Sequence, residues 1–156
     1  MPKLLVLFAG SDPAASALAD AAAEGARGVR FMEVDVRAVG GPGEGGRREV
    51  ESAEVVAGYD GIVVAGAGDE CDALLLELGS RPRAELEQKI GAGVTAGGEA
   101  LPAVTAMLAR VGLVIVPQEG GGEAEDRARR VGRRVAEVVG WAVHMRSHQH
   151  SHHHHH

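Results

Sequence analysis

The chain has a single cysteine, Cys71, in 156 residues. That excludes an internal disulfide and any cysteine-based zinc spacing. Lysine is almost missing too. Lys3 and Lys89 are the only two, and the other strongly basic side chains are arginines. With the excess of alanine and glycine, this reads as the bias of a GC-rich genome rather than as chemistry. No apolar run approaches the ~20 residues of a spanning helix, so no membrane span is expected. Net positive charge is absent: the formal value is −6, which gives no general attraction to nucleic acid. The N-terminus enters directly on an apolar strand and has no signal-peptide layout, so a cytoplasmic protein is expected.

What is present is a core. Hydrophobic residues make up 45% of the chain, enough for one sizeable domain. "KLLVLF" (3–8) is a continuous apolar run, too short for a helix and typical of a strand buried on both faces. "PAASALADAAAEG" (13–25) predicts a helix with Gly25 as its C-cap. "VRFMEVDV" (29–36) alternates as a second strand. "VGGPGEGG" (39–46) reads as a flexible loop, and "RREVESAEVVAGYD" (47–60) as a short helix. "GIVVAGA" (61–67) is a third buried strand. "DECDALLLELG" (69–79) and "RPRAELEQ" (81–88) are helical. "KIGAGVTAG" (89–97) is a fourth strand weakened by its glycines. "EALPAVTAMLARVG" (99–112) is a helix and "LVIVPQ" (113–118) the fifth strand. A last helix runs over 123–143, with an apolar stripe at Ala124, Ala128, Val131, Val135, Val138 and Ala142.

Five buried strands alternating with helices predict an α/β doubly wound parallel sheet with right-handed crossovers. The flavodoxin-like order 2-1-3-4-5 suits this count. Residues 1–143 form the domain, and 144–156 a separate His-rich tail. Ligands of such sheets sit beyond the carboxyl ends of the strands, where the order reverses. The candidate site is therefore Gly10–Ser16, Ala65–Cys71, Thr95–Ala100 and Gln118–Gly122.

The stretches "LLVLFAGSDPAASALADAAAEGA", "GYDGIVVAGA", "RVGLVIVP" and "ARRVGRRVAEVV" resemble, in order and spacing, the flavodoxin-like NAD(P)H:quinone oxidoreductases once called tryptophan-repressor-binding proteins. The resemblance covers most of residues 3–140. It implies FMN as cofactor, two-electron hydride transfer from NAD(P)H to quinones, and assembly as a homo-oligomer. It also implies the cofactor-binding positions Gly10, Ser11, Asp12, Ser16, Gly66, Ala67, Thr95, Ala96, Gly97 and Gly98.

This chain departs from the family at those positions. The family's phosphate turn is built from hydroxyls and backbone amides. Here Gly10 stands in place of the leading serine and Pro13 in place of the glycine, and proline removes an N–H donor. The second loop reads "AGAGDECDALL", acidic and without the aromatic that packs the flavin ring. The third keeps Thr95 and two glycines in "TAGGEA". The long insertion near the fifth strand is reduced to "EGGGEAED". FMN binding is expected to be weak or lost. The alternatives are retained catalysis, a non-enzymatic scaffold or interaction protein, and a metal-binding accessory protein acting through the tail.

Asp-Pro at a helix start is an ordinary N-cap and N1 pair. Asp12 is expected to cap the first helix through the amide of Ala14 or Ala15. Cys71 reads as an inert thiol whose pKa is raised by Asp69, Glu70 and Asp72. Those carboxylates and Glu99 read as a solvated helix start rather than acid–base groups. The arginines at 127, 129, 130, 133 and 134 read as a solvated stripe paired with acids at i±4. Trp141 is placed at the domain edge or a dimer contact. Leu74, Leu75, Leu76 and Leu78 cannot all face inward from one helix, so a homodimer contact near Leu75 or Leu76 is expected. The tail histidines His148, His150, His152, His153 and His154 are dense enough to chelate divalent metals without a folded site. Such a run is either a purification tag or a native metal-binding tail.

Overall fold

The computed structural model describes residues 1–43, 45–66, 68–97, 100–116 and 122–153, and only the backbone of 149–153. The strands are β1 (Lys3–Ala9), β2 (Glu33–Val39), β3 (Gly61–Ala65), β4 (Ile90–Val94) and β5 (Val114–Ile115). The helices are α1 (Pro13–Arg27), α2 (Ala53–Ala57), α3 (Asp69–Gly79), α4 (Arg83–Leu86), α5 (Leu101–Val111) and α6 (Ala124–His153). All strand pairs are parallel, in the order β2-β1-β3-β4-β5. This is the expected flavodoxin-like arrangement.

The apolar runs fill two cores, one on each face of the sheet. Leu4, Val6 and Phe8 of β1 point into the core under α1 and α6. Leu5 and Leu7 point to the opposite core, under α2, α3 and α5. Strict period-two alternation within a fully apolar run is the signature of a strand covered on both faces.

Helices α1 and α6 lie side by side over the first core. Their contact is made by small residues: Ala22 and Gly25 on one helix, Ala128, Gly132 and Ala136 on the other. A Cβ built on Gly25 would fall within 3.0 Å of the Arg129 carbonyl oxygen, and one on Gly132 within 3.0 Å of the Ala22 carbonyl oxygen. Gly25 is therefore not a C-cap. The helix runs on to Arg27 and is capped at Gly28. The glycine serves the helix crossing instead.

Other boundaries move for local reasons. β2 starts at Glu33, not Val29, because Phe31 takes a left-handed backbone (φ 60°) that breaks an extended strand. The strand continues to Val39, whose carbonyl accepts from the Gly10 amide at 2.8 Å. Only Ala53–Ala57 of the 47–60 stretch is helical, since Arg48 and Val50 instead bond the backbone of Ala38. The apolar stripe of α6 centres on Ala128, Val131, Gly132, Val135, Ala136 and Val139. Val138 and Ala142 are only half-buried. The helix does not stop at 143 but continues to His153.

At the amino edge of the sheet a polar cluster ties strands to helices. Tyr59 donates its hydroxyl to Asp35 at 2.5 Å and lies under the Lys3 ammonium. Lys89 donates to the carbonyls of Ala57 and Tyr59 at 2.7 Å each, and burial lowers its pKa. Arg146 donates to Gln88 at 3.0 Å and lies 3.7 Å from Asp60. No helix among the described residues is long and apolar enough to cross a membrane.

Candidate functional site

The carboxyl ends of β1, β3 and β4 bring three of the predicted loops to one edge. At the first, Asp12 is extended and its carboxylate Oδ1 accepts from the amides of Ala14 (3.0 Å) and Ala15 (3.3 Å). Pro13 occupies the first helical position. Two of the orphan N–H groups at this helix end are thus satisfied from within the chain, and the negative charge sits where the macrodipole favours it. Ser11 is exposed, whereas Ser16 is buried with its amide bonded to the Asp12 carbonyl.

The glycine-rich segment after β2, read from sequence as a free loop, lies across this turn. A Cβ on Gly10 would fall within 3.0 Å of the Gly41 carbonyl oxygen. Gly43 sits against the Phe8 ring and Gly40 against the Glu70 side chain. Gly66 turns out of β3 with φ 79°, and a Cβ there would come 2.9 Å from that of Ala15. The first and second loops therefore touch each other through backbone and short side chains. Ala67 lies outside the described residues, as do Gly98, Glu99 and 117–121.

The third loop is held by a residue that the sequence reading placed in a solvated stripe. The Arg127 guanidinium donates to the carbonyls of Gly122 (2.6 Å), Ala96 (3.2 Å) and Thr95 (3.3 Å). It ties the start of α6 to the end of β4. The Thr95 hydroxyl donates to the Gly97 carbonyl, so it is used within its own loop. Ala96 and Gly97 are exposed. No periodicity marks Arg127; a side chain that bonds carbonyls 31 residues away is visible only in three dimensions. Two other arginines of the stripe pair with acids, only Arg133 closely at the expected spacing of four. Arg129 meets Asp126 (2.7 Å) and, across the helix crossing, Glu24 (3.3 Å), while Arg133 meets Glu137 (3.0 Å).

Cys71 opens toward none of this. It is buried, and burial together with Asp72 and Glu70 pushes its thiol up to about 12. That thiol stays protonated and unreactive at neutral pH. Of the α3 leucines, Leu74, Leu75 and Leu78 are buried and Leu76 is 49% exposed. Leu75 therefore belongs to the core and offers no contact surface.

In the tail, His144 and His148 stack one turn apart on α6, with ring centroids 6.4 Å apart. The side chains of His150, His152 and His153, and His154 entirely, lie outside the described residues. Among the described residues no group of three or more His, Cys, Asp or Glu side chains is placed to hold a metal ion.

The described residues of the first two loops do not fit a flavin mononucleotide well. A dianionic phosphate at the first turn would meet the Asp12 carboxylate on the amides it needs, next to a proline with no N–H. Among the described residues no aromatic side chain is placed to stack on the ring. Phe8 is fully buried, Tyr59 is spent on Asp35, and Phe31 and Trp141 lie at the opposite edge. The second loop presents Asp69, Glu70 and Asp72 instead.

No family model and no curated protein matches the sequence. Solved structures do. A flavodoxin from the domain Archaea matches with a TM-score of 0.62 at 18% identity, over 88% of this chain and 99% of its own. A short-chain flavodoxin associated with a bacterial microcompartment gives a TM-score of 0.67 at 12% identity, over 89% of this chain and 99% of its own. Diflavin flavoprotein A3 from Nostoc sp. gives 0.63 at 17% identity, over 93% and 97%. Sheet order, helix placement and these likenesses agree: the chain has the flavodoxin-like fold.

Proposed function

We infer that this chain is a divergent relative of the FMN-dependent NAD(P)H:quinone oxidoreductases that keeps the sheet and has given up tight flavin binding. It works as a flavodoxin-fold scaffold or interaction protein. One observation carries the reading. The Asp12 carboxylate accepts from the amides of both Ala14 and Ala15, the position a cofactor phosphate takes on a helix N-terminus. A ligand phosphate has to displace an internal cap and sit beside its charge. The close approach of Gly10 to the Gly41 carbonyl and of Gly66 to the Ala15 side chain supports the same reading, because it packs the first turn against its neighbours.

The test is the absorbance spectrum of the purified chain before and after FMN addition, with a fluorescence-quenching titration. The reading expects a colourless protein and no saturation at low micromolar flavin. A yellow protein, or stoichiometric quenching, restores the oxidoreductase reading, with Ser11, Ser16, Thr95 and Gly97 as the first contacts to mutate.

A further inference from the structure

Six large hydrophobic side chains are exposed among the described residues, and four of them, Met1, Phe31, Trp141 and Met145, belong to segments that meet at the amino edge of the sheet. Phe31 is 76% exposed and Trp141 67%. They stand on opposite walls of one groove of about 540 Å³. The first wall is the turn between α1 and β2, with Val29, Arg30 and Phe31. The second is α6, with Glu137, Trp141 and Val143. Phe31 holds a left-handed backbone, the one non-glycine residue to do so among the described residues. A bulky aromatic pays for that conformation and gains no burial within the chain, a combination that points to a role in contact.

We propose that this groove is the interface of a two-fold symmetric homodimer, in which Trp141 of each copy packs on Phe31 of the other. The charges on the groove select this occupant. Arg30 lies on one wall and Glu137 on the other. A partner surface of one sign would be repelled by one wall. A second copy turned by 180° about an axis through the groove presents α6 to the turn and the turn to α6. Arg30 then faces the partner's Glu137, and each exposed aromatic faces the other kind. That is the self-complementarity an isologous contact requires, with aromatic anchors at its centre and charges at its rim. Glu137 already meets Arg133 on its own helix, but both are solvent-exposed, so that pair yields easily. α6 also offers length. Val139 contacts the first residue of β3, Gly61, and the helix continues beyond it to His153. The α3 face offers only Leu76, which moves the expected contact from that helix to this edge. The inference is independent of the flavin question.

Sedimentation equilibrium of the full chain tests it. The expected mass is twice the 16.1 kDa chain mass. Trp141→Glu should give the single-chain mass, and Phe31→Ser, a milder change at an exposed turn, should weaken association; circular dichroism confirms that each remains folded. Arg30→Glu or Glu137→Arg alone should raise the dissociation constant about tenfold, and the double reversal should restore it. Trp141 is the single tryptophan, so its emission should shift to the red as the protein is diluted. A single-chain mass for the unmodified protein overturns the proposal. So does a dimer that survives Trp141→Glu, a dimer lost only on Leu76→Glu, or an emission maximum indifferent to dilution.

Discussion

Gly25 of α1 faces the backbone carbonyl of Arg129 of α6 so closely that a β-carbon at position 25 would lie within 3.0 Å of it. Gly132 makes the reciprocal approach to Ala22. Glycine inside a helix costs roughly 1 kcal/mol against alanine, so an exposed Gly25→Ala would stabilise. Here the added carbon meets backbone, which does not step aside like a flexible side chain. Overpacking of this kind costs about 1–3 kcal/mol and outweighs the propensity gain. Gly25→Ala and Gly132→Ala should both lower the midpoint of chemical denaturation. A raised midpoint for either would mean that the helices are not in contact at that point.

Asp12→Ala should cost about 1 kcal/mol, the ordinary value for loss of an N-cap. Asp12→Asn should retain most of it, since the amide oxygen still accepts from Ala14 and Ala15. Equal stability for all three chains would contradict the cap.

Alkaline pH should destabilise the fold. Burial, aided by Asp72 and Glu70, raises Cys71 from its ordinary 9.0 to about 12. Burial, aided by Asp35, raises Tyr59 from 10.0 to about 12. Both groups hold their protons more tightly when folded. Their contribution is complete below the unfolded values and is lost as pH rises toward about 12. Denaturation midpoints should fall through this window, and Cys71→Ala should show a smaller fall than the unmodified chain. An identical fall would show that Cys71 is not the group responsible. At neutral pH the native thiol should resist labelling, and labelling as fast as in the unfolded chain would contradict its burial.

The layout of the fold was legible because its three central strands, β1, β3 and β4, are buried on both faces. Runs such as "KLLVLF" and "GIVVAGA" have no helical reading at that length, and five strand-like segments between helices leave few topologies. α3 falls on the residues its pattern marked, Asp69–Gly79. The misplaced boundaries share a cause. Gly25 looked like a cap because nothing local reveals a second helix passing over it. The start of β2 was misjudged because its alternation runs on through Phe31, whose left-handed backbone ends the strand. At the site, the Asp12-Pro13 pair was readable because a cap is local chemistry. Arg127 and the segment Gly40–Gly43 were not, because their partners lie far away in sequence.

Asp12 caps the turn after β1, and we propose that this cap keeps a flavin phosphate from binding tightly there. Titration of the purified chain with FMN, followed by quenching of flavin fluorescence, tests it most directly. The account predicts no saturable quenching at low micromolar flavin and no flavin carried through purification. Tight one-to-one binding, with the Asp12 carboxylate displaced from Ala14 and Ala15 in the complex, would contradict it.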